Sequence, residues 1–305
     1  VSGAGAGPVV VPPGLLAQAA LGEDRADWLT LLPRRVGELL DAWELVPTGP
    51  ALHGFASLVV PVAGRARAAG PAMLKVGFPD EESAHEHLAL QRWGGRGAVR
   101  LLRADPGRSA LLLERLEPAD LTTTWDVEAC EVVGGLYGAL HRPATPQLRP
   151  LTDLVGRWAA GLERDARRVP LPRRLVDQAL GLARDLVADP ASTGRIVHAD
   201  LHFAHVLHAA DRGWVAIDPK PVSGDPHYEP EPMLRNRFEE YGAVPGDSVR
   251  DGIRRRFHTL VDTAGLDEHR ARDWVVVRSV LNAHRGADDR AHVTRCLTIA
   301  KAVQD

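Results

Sequence analysis

The sequence predicts an α+β chain in two lobes, and three observations carry that reading. Short apolar runs with strand character crowd the stretch before Leu116, and apolar positions recur at helical spacing through most of the chain beyond Pro118. The third is size: 305 residues, 45% of them hydrophobic, exceed what one core usually holds. The expected division is a strand-rich N-terminal lobe over 1–116 and a helical C-terminal lobe over 117–305.

VSGAGAG at the start is Gly-rich and reads as disordered. Trp28, Leu31, Leu32, Val36, Leu39, Leu40 and Trp43 come next at helical spacing, and Pro33, which lacks an N–H, is expected to divide them into two helices. Strands are then read at WELVPT, SLVVPV and AMLKV, with the loop GPALHGF between the first two. A helix from about Asp80 to Trp93 opens on acids that suit its positive end and stops at Gly94-Gly95. VRLLR and SALLLERL, joined by Asp105-Pro106-Gly107, make a hairpin. Beyond Pro118, helical periodicity runs through about 126–141, 151–168, 171–188, 247–265 and 267–303. RIV, VLHAA and WVAID interrupt it as a strand–loop–strand element.

Composition excludes several classes. Net charge is −3 and no basic patch marks a nucleic-acid binder. The apolar run Val9 to Ala20 is broken by Pro12, Pro13 and Gly14, so it reads neither as a signal peptide nor as a membrane span. Cys130 and Cys296 form no metal or disulfide pattern, which fits a reducing cytoplasm. Nothing in the sequence speaks to oligomeric state.

The chemistry concentrates in VHADLHFAHVLH, where His198, Asp200, His202, His205 and His208 fall within eleven positions. Imidazole and carboxylate at that density could build a zinc site, and a zinc hydrolase is one reading. The flanks favour another. A strand-rich lobe followed by a helical lobe with a loop-borne Asp is the arrangement of protein-kinase-like phosphotransferases, and His198-Ala-Asp200-Leu-His-Phe-Ala-His205 follows their H-x-D-x-x-x-x-N pattern except at its last position. Asp218, in AIDPK, ends the next strand where those enzymes carry a metal-binding Asp. Phosphoryl transfer uses two such carboxylates differently: one takes the acceptor's proton, the other holds magnesium across the phosphates. Upstream, Lys75 in MLKV resembles the phosphate-binding lysine, and Glu86 on the following helix can hold its ammonium.

The ordered set LKVGFP, HEHLALQRWGGRGAVRLL, ALLLERL, VHADLHFAHVL and AIDPKPVSGDPHYEPEPMLRNR resembles the aminoglycoside phosphotransferases of the streptomycin 6-phosphotransferase and hydroxyurea phosphotransferase group, from Trp43 to Gln304. The resemblance implies a two-lobe kinase-like fold using ATP and Mg2+, with a small-molecule acceptor. Lys75 would bind the α and β phosphates with Glu86 orienting it, and backbone groups around Glu114 and Leu116 would take the adenine at the lobe junction. Asp200 would be the catalytic base and Asp218 the principal metal ligand. The loop from Gly49 to Ser57 would cover the phosphates, although it lacks the glycine pattern of such loops. The family carries Asn where this chain has His205, a metal-ligand position. Magnesium prefers oxygen, so the imidazole points to weaker magnesium binding, to manganese, or to a non-catalytic nucleotide-binding pseudokinase.

Remaining residues divide between function and packing. His198 reads as a buried loop brace, His202 as a residue facing the acceptor or capping the loop, and His208 as an exposed strand residue. Within GDPHYEPEPMLRNRFEE, Asp225, Tyr228, Glu229, Glu231 and Arg235 are candidate acceptor contacts. Its five acids against two arginines could attract a cationic acceptor. Streptomycin-like compounds, hydroxyurea, sugars and peptide antibiotics all remain open as acceptors.

Overall fold

One helix, α2 (Glu23–Ala42), sets the core of the N-terminal part, preceded by the short α1 (Pro13–Leu16). The computed structural model describes residues 9–65, 70–242 and 246–304; the VSGAGAG start, expected to be disordered, lies outside them. Pro33 lies inside α2 rather than splitting it, which corrects the two-helix expectation. Proline removes one backbone hydrogen bond, but Trp28, Leu29, Leu32, Val36, Leu39 and Leu40 lie on one face and are all buried. Several fully buried side chains, at roughly 1.5–3 kcal/mol each, outweigh the loss.

The chain divides into two units, residues 1–95 with 99–116, and residues 96–98 with 117–305. The first unit holds an antiparallel sheet of β1 (Leu45–Pro47), β2 (Leu52–His53), β3 (Ser57–Gly64), β4 (Ala72–Gly77), β5 (Leu101–Asp105) and β6 (Ala110–Glu114). The strand order is β1-β3-β4-β6-β5, with β2 paired to β3. Strand side chains alternate, so Leu58, Val60, Val62, Leu74 and Val76 pack with α2 in one core, and Lys75 projects from the other face. The helix expected from Asp80 begins later, as α3 (Glu86–Trp93). Asp80 Oδ1 accepts from the Ser83 backbone N–H (2.8 Å) and hydroxyl (2.7 Å), a local turn that competes with helix initiation.

The second unit is mainly helical: α4 (Asp126–Leu140), α5 (Leu151–Asp165), α6 (Arg173–Ala188), α7 (Glu231–Arg235), α8 (Val249–Ala264), α9 (Glu268–Arg285) and α10 (Arg290–Ala302). The single helix expected over 267–303 breaks after Arg285, where Gly286 follows and the Asp289 side chain caps α10 by accepting from Ala291 and His292. Two small sheets lie among the helices. One is β7 (Glu117–Asp120), β9 (Val206–Ala209) and β10 (Gly213–Ala216); the other pairs β8 (Arg195–Val197) with β11 (Val222–Gly224). The His-rich loop runs from β8 to β9, and Asp218 lies on the segment from β10 to β11. No helix among the described residues is long and apolar enough to cross a membrane. Cys130 and Cys296 are buried free thiols.

Candidate active site

In the first unit, Lys75 sits mid-strand, opposite Val59 on one side and Leu111 on the other. Its ammonium donates to both oxygens of Glu86, at 2.7 and 2.6 Å. Both residues are buried, and a charge-assisted pair of this kind fixes where the ammonium stands. Glu86 is the first residue of α3, so the late start of that helix sets its position. Glu114 ends β6 and accepts from the backbone N–H (2.7 Å) and guanidinium (3.3 Å) of Arg100. Leu116 is half-buried two residues beyond. The Gly49–Ser57 stretch contains β2 and the turn into β3, with Phe55 exposed at its tip.

In the second unit, backbone bonds bind the two functional segments together. Lys220 N–H donates to His198 O (2.9 Å), and Ile217 N–H to His205 O (2.9 Å). The His198 ring adds a third tie, donating from Nε2 to Ile217 O (3.0 Å) while Nδ1 accepts the Asp200 N–H (3.3 Å). Burial lowers this imidazole to about 4 and keeps it neutral, as one donor and one acceptor require. The brace expected of His198 is therefore its observed geometry. Ala199 and Asp218 have φ of 64° and 53°, a left-handed conformation that side chains disfavour. Such residues cluster where a fold fixes functional geometry.

His205 stands between the two aspartates. Nδ1 donates to the Asp200 backbone oxygen at 2.7 Å and lies 3.7 Å from Asp200 Oδ2, and Nε2 lies 3.6 Å from Asp218 Oδ2. A carbonyl can only accept, so the bonded proton is on Nδ1, and Nε2 faces the Asp218 carboxylate. A ligand imidazole is oriented in this manner, its other nitrogen donating to a backbone carbonyl. Burial raises the pKa of Asp200, opposed by His205, Arg235, Arg278 and Lys220. Of these neighbours, Arg235 lies 3.8 Å from Asp200 Oδ1, and Lys220 reaches both oxygens of Asp218.

The zinc cage is corrected by the direction of its members. His198 turns to Ile217, and His208, half-buried, donates from Nδ1 to Glu117 at 2.6 Å. Among the described residues Asp200, His202 and His205 are the one group of three or more whose ligand atoms all lie within 4.8 Å of one another. Within that group His202 Nδ1 is already taken by the Ala204 N–H (3.3 Å), which it caps, and its ring packs against that of His205 with centroids 3.8 Å apart.

The acidic segment is corrected as well. Asp225 accepts from His227 (2.6 Å), Trp274 Nε1 (2.7 Å) and Arg270 Nε (2.5 Å). Burial alone would raise it, but these bonds hold it at about 2. Glu229 accepts the His198 N–H at 2.6 Å and the Ala199 N–H at 3.0 Å, with His141 Nε2 at 3.5 Å. Glu231 is shared by Arg235 and Arg278, both at 3.2 Å. All three carboxylates and Tyr228 are buried, so they support the loop from within and present no charge to an acceptor. Glu239 and Glu240 pair with Arg295 and Arg237. Of the candidate acceptor contacts, Arg235 and His202 alone keep partial exposure beside Asp200.

Sequence reasoning missed Arg278, which donates to the carbonyl oxygens of Ala199 and, at 3.0 Å, Tyr228. The signal was an arginine inside the apolar run WVVVRSVL. Lys220 was also passed over, though it stands two residues from Asp218.

A strand-rich unit with a buried Lys–Glu pair, and a helical unit with a loop Asp and a second Asp behind it, define a kinase-like phosphotransferase. A choline kinase from Streptococcus pneumoniae shares the fold, with a TM-score of 0.56 and 12% identity over 89% of this chain and 98% of that one. The chain belongs to the aminoglycoside/hydroxyurea antibiotic resistance kinase family, whose model it matches over residues 42–290. It is 39% identical to the streptomycin 6-kinase of Streptomyces glaucescens over 93% of each chain. Identity is also 39% to the hydroxyurea phosphotransferase of Kitasatospora aureofaciens, over 90% of this chain and 80% of that one.

Proposed function

We propose that the protein transfers the γ-phosphoryl group of ATP to a hydroxyl of an aminoglycoside-like or related antibiotic. The observation that carries this reading is His205 set between Asp200 and Asp218, 3.7 Å from one carboxylate and 3.6 Å from the other. In it Asp200 accepts the acceptor's proton, and its burial-raised pKa makes it a better base than an exposed aspartate. Lys75, held by Glu86, binds nucleotide phosphate.

Asp218 and His205 offer one hard oxygen and one imidazole lone pair, a donor set that fits a divalent cation. That ion, when bound, supplies positive charge across the phosphates. Mixed oxygen and nitrogen ligation suits manganese at least as well as magnesium. The 2.7 Å bond from His205 Nδ1 to the Asp200 backbone oxygen holds the imidazole in its place within this donor set.

The relatives' names support an antibiotic acceptor. The test is ADP release across streptomycin-like compounds, hydroxyurea, sugars and peptide antibiotics, with magnesium and with manganese. Turnover with one of the antibiotics is expected. Nucleotide binding without turnover of any acceptor would instead favour the pseudokinase reading.

A further inference from the structure

Lys220 Nζ lies 3.4 Å from Asp218 Oδ1 and 3.5 Å from Oδ2, astride the carboxylate. His205 Nε2 faces the same group at 3.6 Å from Oδ2. The lysine cannot easily swing away at its root, since its own N–H is bound to His198 O. Its side chain is mostly buried, 24% exposed, where a charge is screened less than at a free surface. Protein kinases place two magnesium ions around the corresponding Asp and Asn. Here the Asn is His205, and an ammonium stands against the Asp.

We infer that Lys220 is a built-in cation that takes the place of one of those two ions, so that the site holds a single divalent cation. The inference rests on the proposed metal role of Asp218 and deepens it. An ammonium within 3.5 Å of both oxygens shares the carboxylate's lone pairs and repels a second dication. Lys220 is thus a positioning residue for Asp218 that supplies charge which other kinases draw from solution.

The experiment counts Mn2+ bound per chain by electron paramagnetic resonance, in complex with the non-hydrolysable nucleotide AMP-PNP, with nucleotide alone as control. Wild type is expected to hold one ion, K220R one, and K220M two at millimolar Mn2+. Circular dichroism confirms that the variants are folded. Two ions in wild type, or one in folded K220M, overturns the role of Lys220 while leaving the metal site standing. AMP-PNP binding with no protein-dependent Mn2+ in any of the three overturns the metal role of Asp218 and this inference together.

Discussion

The imidazole of His205 donates to the backbone oxygen of Asp200 across 2.7 Å, so the residue that departs from the family pattern is held by the candidate base itself. His205→Asn restores an oxygen ligand facing Asp218 but weakens that anchor. At low magnesium the variant is expected to turn over faster than wild type, and any preference for manganese is expected to shrink. Initial rates titrated against both metals check this. Identical metal dependence in the two proteins would remove position 205 from the metal site.

Asp200→Asn keeps the shape of the side chain and removes the proton acceptor. Turnover is expected to fall by about two to four orders of magnitude with nucleotide affinity nearly unchanged. Steady-state kinetics and a nucleotide-binding titration separate the two effects, and undiminished turnover would take Asp200 out of the mechanism.

Glu86→Ala deletes the buried carboxylate that both faces and orients the Lys75 ammonium. A loss of about 3 kcal/mol in stability is expected, together with a higher KM for ATP. Replacing both residues by apolar ones, Lys75→Met with Glu86→Leu, should recover most of the stability and none of the activity. Urea melts beside kinetics read out that split; activity returning with stability would make the pair purely structural.

Glu229→Gln supplies one acceptor oxygen where two backbone N–H groups, of His198 and Ala199, now find a carboxylate. Stability is expected to drop by about 1–3 kcal/mol, and kcat to fall with little change in KM for the acceptor. A raised acceptor KM at constant kcat would mean that Glu229 contacts substrate after all.

Asp225 sits at about 2 in the fold against an ordinary 3.8. A carboxylate depressed in the native state contributes stability that is whole above its unfolded value and lost as pH falls toward the folded one. Acid unfolding should therefore gain a component between 3.8 and about 2 that Asp225→Asn removes. Urea midpoints measured down that range test it, and an unaltered pH profile in the variant would contradict the assignment.

How much of this was legible in the sequence depended on the range of the interactions. Strands and helices emerged from periodicity because burial on one face is a local pattern, as in Leu58, Val60 and Val62 of β3. The pairing of Lys75 with Glu86 and the nearness of Asp200 and Asp218 to His205 were legible because motif spacing records backbone geometry. The partners of Asp225, Glu229 and Glu231 were not. Their acidity suggested a charged surface, and only tertiary structure brings Arg270, His141 and Arg278 to meet them. Pro33 and Asp80 misled for the opposite reason: one local signal was overruled by packing, and the other began a turn where a helix was expected.

The clamp of Arg278 on Ala199 spans 79 residues of chain. A ribosome adding about 5–20 residues per second needs roughly 4–16 s to cover that distance. Throughout that interval the whole H-x-D segment has been synthesised, but the guanidinium that grips it has not. A message truncated anywhere between the H-x-D segment's end and the codon for Arg278 thus encodes the candidate catalytic loop and still lacks the part that sets it. Nonsense changes within that stretch are expected to be as damaging as the loss of Asp200, and antibiotic-protection assays on a nested set of stop codons would locate the threshold.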